Sequence, residues 1–383
     1  MIDAYIFGNE LKSLGYKFYA GVPCSFLKSL INYAINDCRY INATNEGDAI
    51  SIAAGCYLTG NKAVVLMQNS GLTNAVSPLT SLLYTFKIPV LGFVSLRGEL
   101  GVHDEPQHEL MGQITTDMLT LMEVDWEYLS DDINSAREQL KKADRILDGS
   151  KPFFFVVKKN TFAEIALKKK EEVFSFSKKV ITKTNKDQIP QRFDTLKIIS
   201  RHKDIDTALF ATTGKTGREL YDIEDTGHNL YMVGSMGCIG SLGLGTALNA
   251  PSKNIIVIDG DGSLLMRSGS LATIAKFQPD NYLHILLDNN TYDSTGGQET
   301  VASNVDFVSL AQSNGFNTSI YCHNLDELDS YIGEWKKKKG LCFMYLRISK
   351  GSKKDLGRPS IKPYQVKDRI MKFLSVNPNT AKY

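Results

Sequence analysis

Asp259-Gly260-Asp261-Gly262-Ser263, a helix-like segment over 264–277, and then Leu286-Leu287-Asp288-Asn289-Asn290-Thr291-Tyr292-Asp293 form the stretch that decides the fold of this chain. Ile255–Ile258 reads as a hydrophobic strand entering the first turn, and His284–Leu287 as a second strand entering the other. In a parallel sheet both strand ends open onto one crevice, which is where ligands bind. Gly260 and Gly262 let backbone N–H groups, with Ser263, approach a phosphate. Asp261, the Asn289 carboxamide and a backbone carbonyl, with Thr291 in the same set, supply the hard oxygens that magnesium prefers. The expected ligand is a diphosphate carrying a metal ion. G-D-G alone marks a turn; joined to a helix, a strand and N-N-x-Y at this spacing, it is specific.

The pattern resembles the diphosphate signature of thiamine-diphosphate enzymes, which also need a glutamate from a second domain against the pyrimidine ring of the cofactor. Asn42-Ala43-Thr44-Asn45-Glu46-Gly47-Asp48-Ala49, ahead of the small-residue helix Ile50–Cys56, looks like that element, with Glu46 as the glutamate. Read without the resemblance, Glu46 is equally a helix N-terminal acid stabilised by the macrodipole.

Length and composition suit an enzyme of two to three domains: 383 residues, 43% hydrophobic, formal net charge +2. Cys24, Cys38, Cys56, Cys238, Cys322 and Cys342 lie far apart without C-x-x-C, so they read as reduced, mostly buried thiols and not as a disulfide frame or metal site. Met1-Ile2-Asp3-Ala4-Tyr5 carries no basic segment with an apolar core, and no apolar run reaches about 18 residues. Neither export nor a membrane span is expected, and the location expected is cytoplasmic.

Apolar runs at 63–67, 89–95, 153–157, 208–211, 255–258, 285–287 and 343–348 alternate with helix-length segments, which argues for parallel α/β sheets. Between 166 and 194 the pattern dissolves into a charged, Ser/Thr/Lys-rich stretch, the expected linker. Its Lys168-Lys169-Lys170-Glu171-Glu172 run, like Lys336–Lys339, reads as a solvated surface and not as a nucleic-acid site. The run 61–72 leading to 88–93 repeats the strand, turn, helix and strand of 253–263 leading to 284–287. A duplicated module follows, with Asn69 or Ser70 where the second copy has Asp261; unrelated strand-turn-helix units also give such similarity.

The remaining motifs narrow the resemblance. Tyr19–Leu27, Arg97–His108, Thr212–Leu220, Gly234-Ser235-Met236-Gly237 and Asp355–Pro359 together look like the phosphonopyruvate decarboxylase family, over nearly the whole chain. The resemblance implies two Rossmann-like cofactor-binding domains, each a parallel sheet flanked by helices: a pyrimidine domain over 1–165, a linker over 166–194, a diphosphate domain over 195–362 and a tail over 363–383. The linker leaves no room for the third, central domain of larger decarboxylases. Gly217 stands where serine is expected and Ser29 where proline is usual, and neither position is a proposed catalytic group.

Roles follow from the resemblance. Glu46 would hydrogen-bond the aminopyrimidine. Met236 would wedge the cofactor from below, or is simply a core methionine. The Gly234 carbonyl would orient the amino group. Thr213 and Gly214 would line the diphosphate opposite Gly262 and Ser263, or form an ordinary turn. Asp104 and His108 make the best pair for proton transfer after decarboxylation, although Asp104 also suits a helix N-cap. Arg97, His103, His108, Lys215 and Arg218 are the cations available for an anionic substrate, each of them also explicable as a surface ion pair or structural residue.

The implied activity is thiamine-diphosphate- and Mg2+-dependent, non-oxidative decarboxylation of a 2-oxo acid, 3-phosphonopyruvate, to phosphonoacetaldehyde and carbon dioxide in phosphonate biosynthesis. Sulfopyruvate decarboxylation, or another thiamine-diphosphate-dependent lyase or ligase reaction, is the alternative. The resemblance also implies a homodimer or higher homo-oligomer with sites at the subunit interface, and no nucleic-acid or membrane partner.

Overall fold

In the first part of the chain, β1 (Tyr16–Gly21), β2 (Arg39–Asn42), β3 (Lys62–Gln68), β4 (Leu91–Ser95), β5 (Asp125–Tyr128) and β6 (Phe153–Val157) pair in parallel, in the order β2-β1-β3-β4-β6-β5. The computed structural model describes residues 1–168, 179–181 and 189–375, and the chain divides into two units, Met1–Val173 and Phe174–Tyr383. Every residue of β4 and β6 is buried, as a parallel sheet covered on both faces by helices requires. Helix Glu46–Leu58 lies against β1 and β3 with nearly all of its residues buried. Its alanines and glycines let it approach the strands closely. Asn45 starts it, accepting the Gly47 N–H at 2.8 Å through its side chain.

The second unit holds β7 (Lys179–Ile181), β8 (Thr207–Ala211), β9 (Asn229–Tyr231), β10 (Asn254–Gly260) and β11 (Tyr282–Asp288). After a two-stranded ribbon of β12 (Thr291–Tyr292) and β13 (Gln298–Glu299) come β14 (Thr318–Cys322) and β15 (Cys342–Arg347). The main sheet runs β7-β14-β15-β11-β10-β8-β9, all parallel. β10 and β11 sit side by side, with Gly260 level with Leu287, so the two turns that follow emerge at one sheet end. The fold is therefore α/β, two parallel sheets flanked by helices, as the alternation of apolar runs indicates.

Two stretches differ from the reading of the sequence. Residues 169–178 and 182–188 of the expected linker lie outside the described residues, but Lys179–Ile181 within it is a strand on β14, and a helix begins at Arg192. The three described residues of that strand are too few to show a period. The expected tail contains helix Pro363–Leu374, which buries Val366, Ile370 and Leu374 at helical spacing and packs against β9; 376–383 lie outside the described residues. All six cysteines are free, five of them buried and Cys38 partly so. No helix among the described residues is long and apolar enough to cross a membrane.

Candidate active site

β10 delivers Asp261 as the first residue of a short helix, with its side chain 3% exposed. Its Oδ2 accepts a hydrogen bond from Thr300 Oγ1 at 2.6 Å. Burial pushes the carboxyl up to about 6, the nearby Asp288 carboxylate adds to the rise, and the Thr300 hydrogen bond opposes it. No cationic side chain among the described residues pairs with Asp261. A carboxylate taken from water without a counter-charge is the feature a divalent cation would offset.

β11 delivers the second donor group. Asn289 Nδ2 donates to Asp293 Oδ2 at 2.7 Å, while Asn289 Oδ1 accepts the Thr291 N–H at 3.2 Å. Thr291 Oγ1 donates to Asp293 Oδ1 at 3.0 Å. No group of three or more His, Cys, Asp or Glu that could hold a metal gathers among the described residues. The donor set is thus one carboxylate with neutral oxygens, which fits magnesium completed by diphosphate oxygens and does not fit a structural zinc.

Around these donors stand the ends of β8, β9 and β10. Ser263 Oγ lies 2.9 Å from Thr212 Oγ1 and accepts the Gly237 N–H at 3.1 Å, so one buried hydroxyl ties three loops together. Thr213 and Gly214 are partly exposed just before helix Lys215–Ile223. Gly234 and Gly237, with φ of 64° and 90°, bracket the half-buried Met236 ahead of helix Ile239–Asn249. Gly262 has no alternative: a Cβ there would lie 2.4 Å from the Tyr292 ring. Of the two cations on the first turns of helix Lys215–Ile223, Arg218 is spent on a loop, its Nε donating to the Gly357 carbonyl at 2.8 Å and its Nη2 to that of Leu356. Lys215 is partly exposed and makes no ion pair among the described residues.

In the first unit Glu46 opens its helix with 8% exposure, and Asn74 Nδ2 donates to its Oε2 at 2.9 Å. At the end of β3, in the place Asp261 holds after β10, stands Asn69. It is fully buried and donates to the Arg97 carbonyl at 2.8 Å and to Thr115 Oγ1 at 3.1 Å. Its Nδ2 is used inside the protein, while its buried Oδ1 has no hydrogen-bond partner.

The Arg97–His108 loop is organised by a pair that the sequence reading treated as two separate tools. Arg97 Nε donates to Asp104 Oδ2 at 2.7 Å and its Nη2 to Oδ1, while the backbone N–H groups of Gly98 and Glu105 donate to the same carboxylate at 2.9 and 2.8 Å. The Arg97 guanidinium and these backbone donors hold the Asp104 carboxyl well below the usual carboxylate range. Arg97 Nη1 also reaches Ser25 Oγ at 3.0 Å, and the guanidinium covers the Phe26 ring at 4.8 Å. His108 is 7% exposed and its Nδ1 has no hydrogen-bond partner, whereas His103 is exposed. Asp104 and His108 share no hydrogen bond.

Asn74, Thr300, Asp293 and Arg192 join the site without being among the residues the sequence motifs single out. Asp293 lay within the quoted motif, its spacing to Asn289 being the available signal; the other three are marked by contacts distant in sequence.

Comparison with known proteins bears on both units. Residues 4–119 match the model described as thiamine pyrophosphate enzyme, N-terminal TPP binding domain, and residues 213–345 that of the C-terminal TPP binding domain. Phosphonopyruvate decarboxylase of Streptomyces hygroscopicus is 38% identical over 97% of this chain and 94% of its own length. That of Streptomyces viridochromogenes is 38% identical over 99% and 96%. Sulfopyruvate decarboxylase of Methanosarcina acetivorans is 29% identical over 89% and 90%. Among solved structures, benzoylformate decarboxylase from Polynucleobacter necessarius superposes with a TM-score of 0.72 over 92% of this chain and 100% of that one, at 12% identity, a likeness of fold.

Proposed function

We propose, from the premise that this chain belongs to the phosphonopyruvate decarboxylase family of thiamine pyrophosphate enzymes, that it converts 3-phosphonopyruvate to phosphonoacetaldehyde and carbon dioxide with thiamine diphosphate and Mg2+. The observation that carries the substrate is the 38% identity to phosphonopyruvate decarboxylases over nearly the whole chain, against 29% to the sulfopyruvate enzyme. When bound, thiamine diphosphate supplies a carbon nucleophile for the ketone and a sink for the electron pair released with carbon dioxide.

The chain's own residues divide the remaining work. Asp261, Asn289 and a carbonyl at Thr291 would hold Mg2+. Gly260, Gly262, Ser263, Thr213 and Gly214 would line the diphosphate, the Ser263 hydroxyl from its place between Thr212 and Gly237 fixing the loops around it. Met236 would support the cofactor, and the Gly234 carbonyl would accept a hydrogen bond from its amino group. Glu46 accepts a hydrogen bond from the pyrimidine, its carboxylate kept in place by Asn74. Asp104 stays ionised under Arg97, so it positions the loop, and proton delivery falls to the buried imidazole of His108. Lys215 and His103, not tied up in ion pairs, are the basic side chains we assign to the phosphonate, while Arg97 and Arg218 brace loops. The active form is taken to be a cytoplasmic homo-oligomer, a dimer at least.

The deciding experiment is turnover of phosphonopyruvate, sulfopyruvate and pyruvate side by side, with cofactor and Mg2+ present. Phosphonopyruvate is expected to give the highest kcat/KM. A higher value for sulfopyruvate would keep the decarboxylase reading and replace the substrate.

A further inference from the structure

We propose that Asp293, braced by Arg192, is a positioning residue that presents Asn289 and Thr291 to the divalent cation. The inference rests on the magnesium reading of the site.

Asp293 is 10% exposed and accepts four hydrogen bonds. Asn289 Nδ2 at 2.7 Å and Arg192 Nη2 at 2.5 Å reach its Oδ2; Thr291 Oγ1 at 3.0 Å and the Gly351 N–H at 3.3 Å reach its Oδ1. An ionised carboxylate only accepts, so it captures the NH2 end of the Asn289 amide and turns Oδ1 the other way. That oxygen takes only the long 3.2 Å contact from the Thr291 N–H, leaving acceptor capacity for a cation. The Thr291 hydroxyl is engaged by the same carboxylate, which fixes the start of β12 and hence the direction of its carbonyl.

The brace behind Asp293 is costly to bury. Arg192 is 6% exposed, and its Nη1 lies 3.7 Å from Oε1 of the fully buried Glu219, which itself accepts the Lys353 N–H at 3.0 Å. Arg192 Nη1 and Glu219 Oε2 lack a hydrogen-bond partner. A buried ion pair of this quality adds little net stability against an apolar replacement, so its use lies in what it fixes. It joins helix Arg192–Arg201, helix Lys215–Ile223, the 289–293 turn and the 351–353 segment. Outer hydrogen-bond partners of metal ligands commonly matter by about 10- to 100-fold in metal affinity.

The test titrates Mg2+ into full-length protein with thiamine diphosphate present, following cofactor binding by calorimetry, and melts the metal-free protein in parallel. Asp293→Asn removes a purely accepting group while Arg192 keeps Glu219. Its Mg2+ midpoint is expected to rise about 10- to 100-fold, with cofactor binding restored at excess Mg2+, alongside a lower metal-free melting temperature from the weakened buried pair. An unchanged midpoint, or a loss confined to melting temperature, overturns the proposal. Should Asp293→Asn fail to fold, Thr291→Val removes one bond from the other end: a rise of about fivefold is expected, and no rise overturns the proposal. Cofactor binding by the parent protein that ignores Mg2+ would overturn the magnesium reading itself, and this proposal with it.

Discussion

Gly71 lies so close to Glu46 that a Cβ on it would stand 2.1 Å from Glu46 Oε1. The carboxylate is therefore confined between the backbone at Gly71 on one side and the Asn74 amide on Oε2 at 2.9 Å on the other. Gly71→Ala should displace the carboxylate by about an ångström and lower kcat on the order of 100-fold, with cofactor affinity retained. A kcat within a factor of about two of the parent would mean that this confinement has no catalytic weight.

Glu46→Gln and Asp261→Ala should fail in different ways. The first keeps Mg2+-dependent cofactor binding and slows hydrogen–deuterium exchange at the thiazolium C2 by about 10²- to 10⁴-fold. The second loses Mg2+-dependent cofactor binding itself. Rapid exchange in Glu46→Gln would remove Glu46 from its assigned role, and undiminished metal dependence in Asp261→Ala would do the same for Asp261.

The Arg97–Asp104 pair should be visible in acid. Because the folded protein holds the Asp104 carboxyl below its unfolded value of about 3.9, the pair's contribution is complete above roughly pH 4 and declines as the unfolded chain takes up the proton first. The stability gap between the parent and Asp104→Asn, measured by urea unfolding, should be constant from pH 7 to about 5 and narrow below about 4. A gap that widens toward acid has the wrong sign for this pair.

Substrate preference should separate Lys215 from Arg218. Lys215→Gln is expected to raise KM for phosphonopyruvate about 10- to 100-fold and to narrow its advantage over sulfopyruvate, since a phosphonate can carry the second charge. Arg218→Gln releases the carbonyls of Leu356 and Gly357 and should lower melting temperature with little change in preference. Equal effects of the two on the substrate ratio would cancel the assignment.

What the sequence disclosed, and what it concealed, follow from the range of the interactions involved. Ile255–Ile258 and Phe153–Val157 announce buried parallel strands by their uninterrupted apolar side chains, and Asp261 is announced by the glycines beside it. Arg192 and Asp293 meet across 101 positions of sequence, so no local period marks either as a partner of the other. Arg97 and Asp104 are seven residues apart and were both visible, yet composition could not distinguish two groups facing a ligand from two groups neutralising each other. The three described residues of β7 carry no alternation to count.

The lengths of the outermost strands bear on how these chains behave when crowded. β9, one margin of the seven-stranded sheet, is three residues long, and β2 and β5, the margins of the six-stranded one, are four. The inner strands run five to seven residues. A margin this brief offers a stranger's backbone only a few unpaired amides to dock on, too small a template for edge-to-edge aggregation. At β9, helix Pro363–Leu374 packs alongside as well. Shortening that helix should therefore reveal itself first as turbidity at high protein concentration.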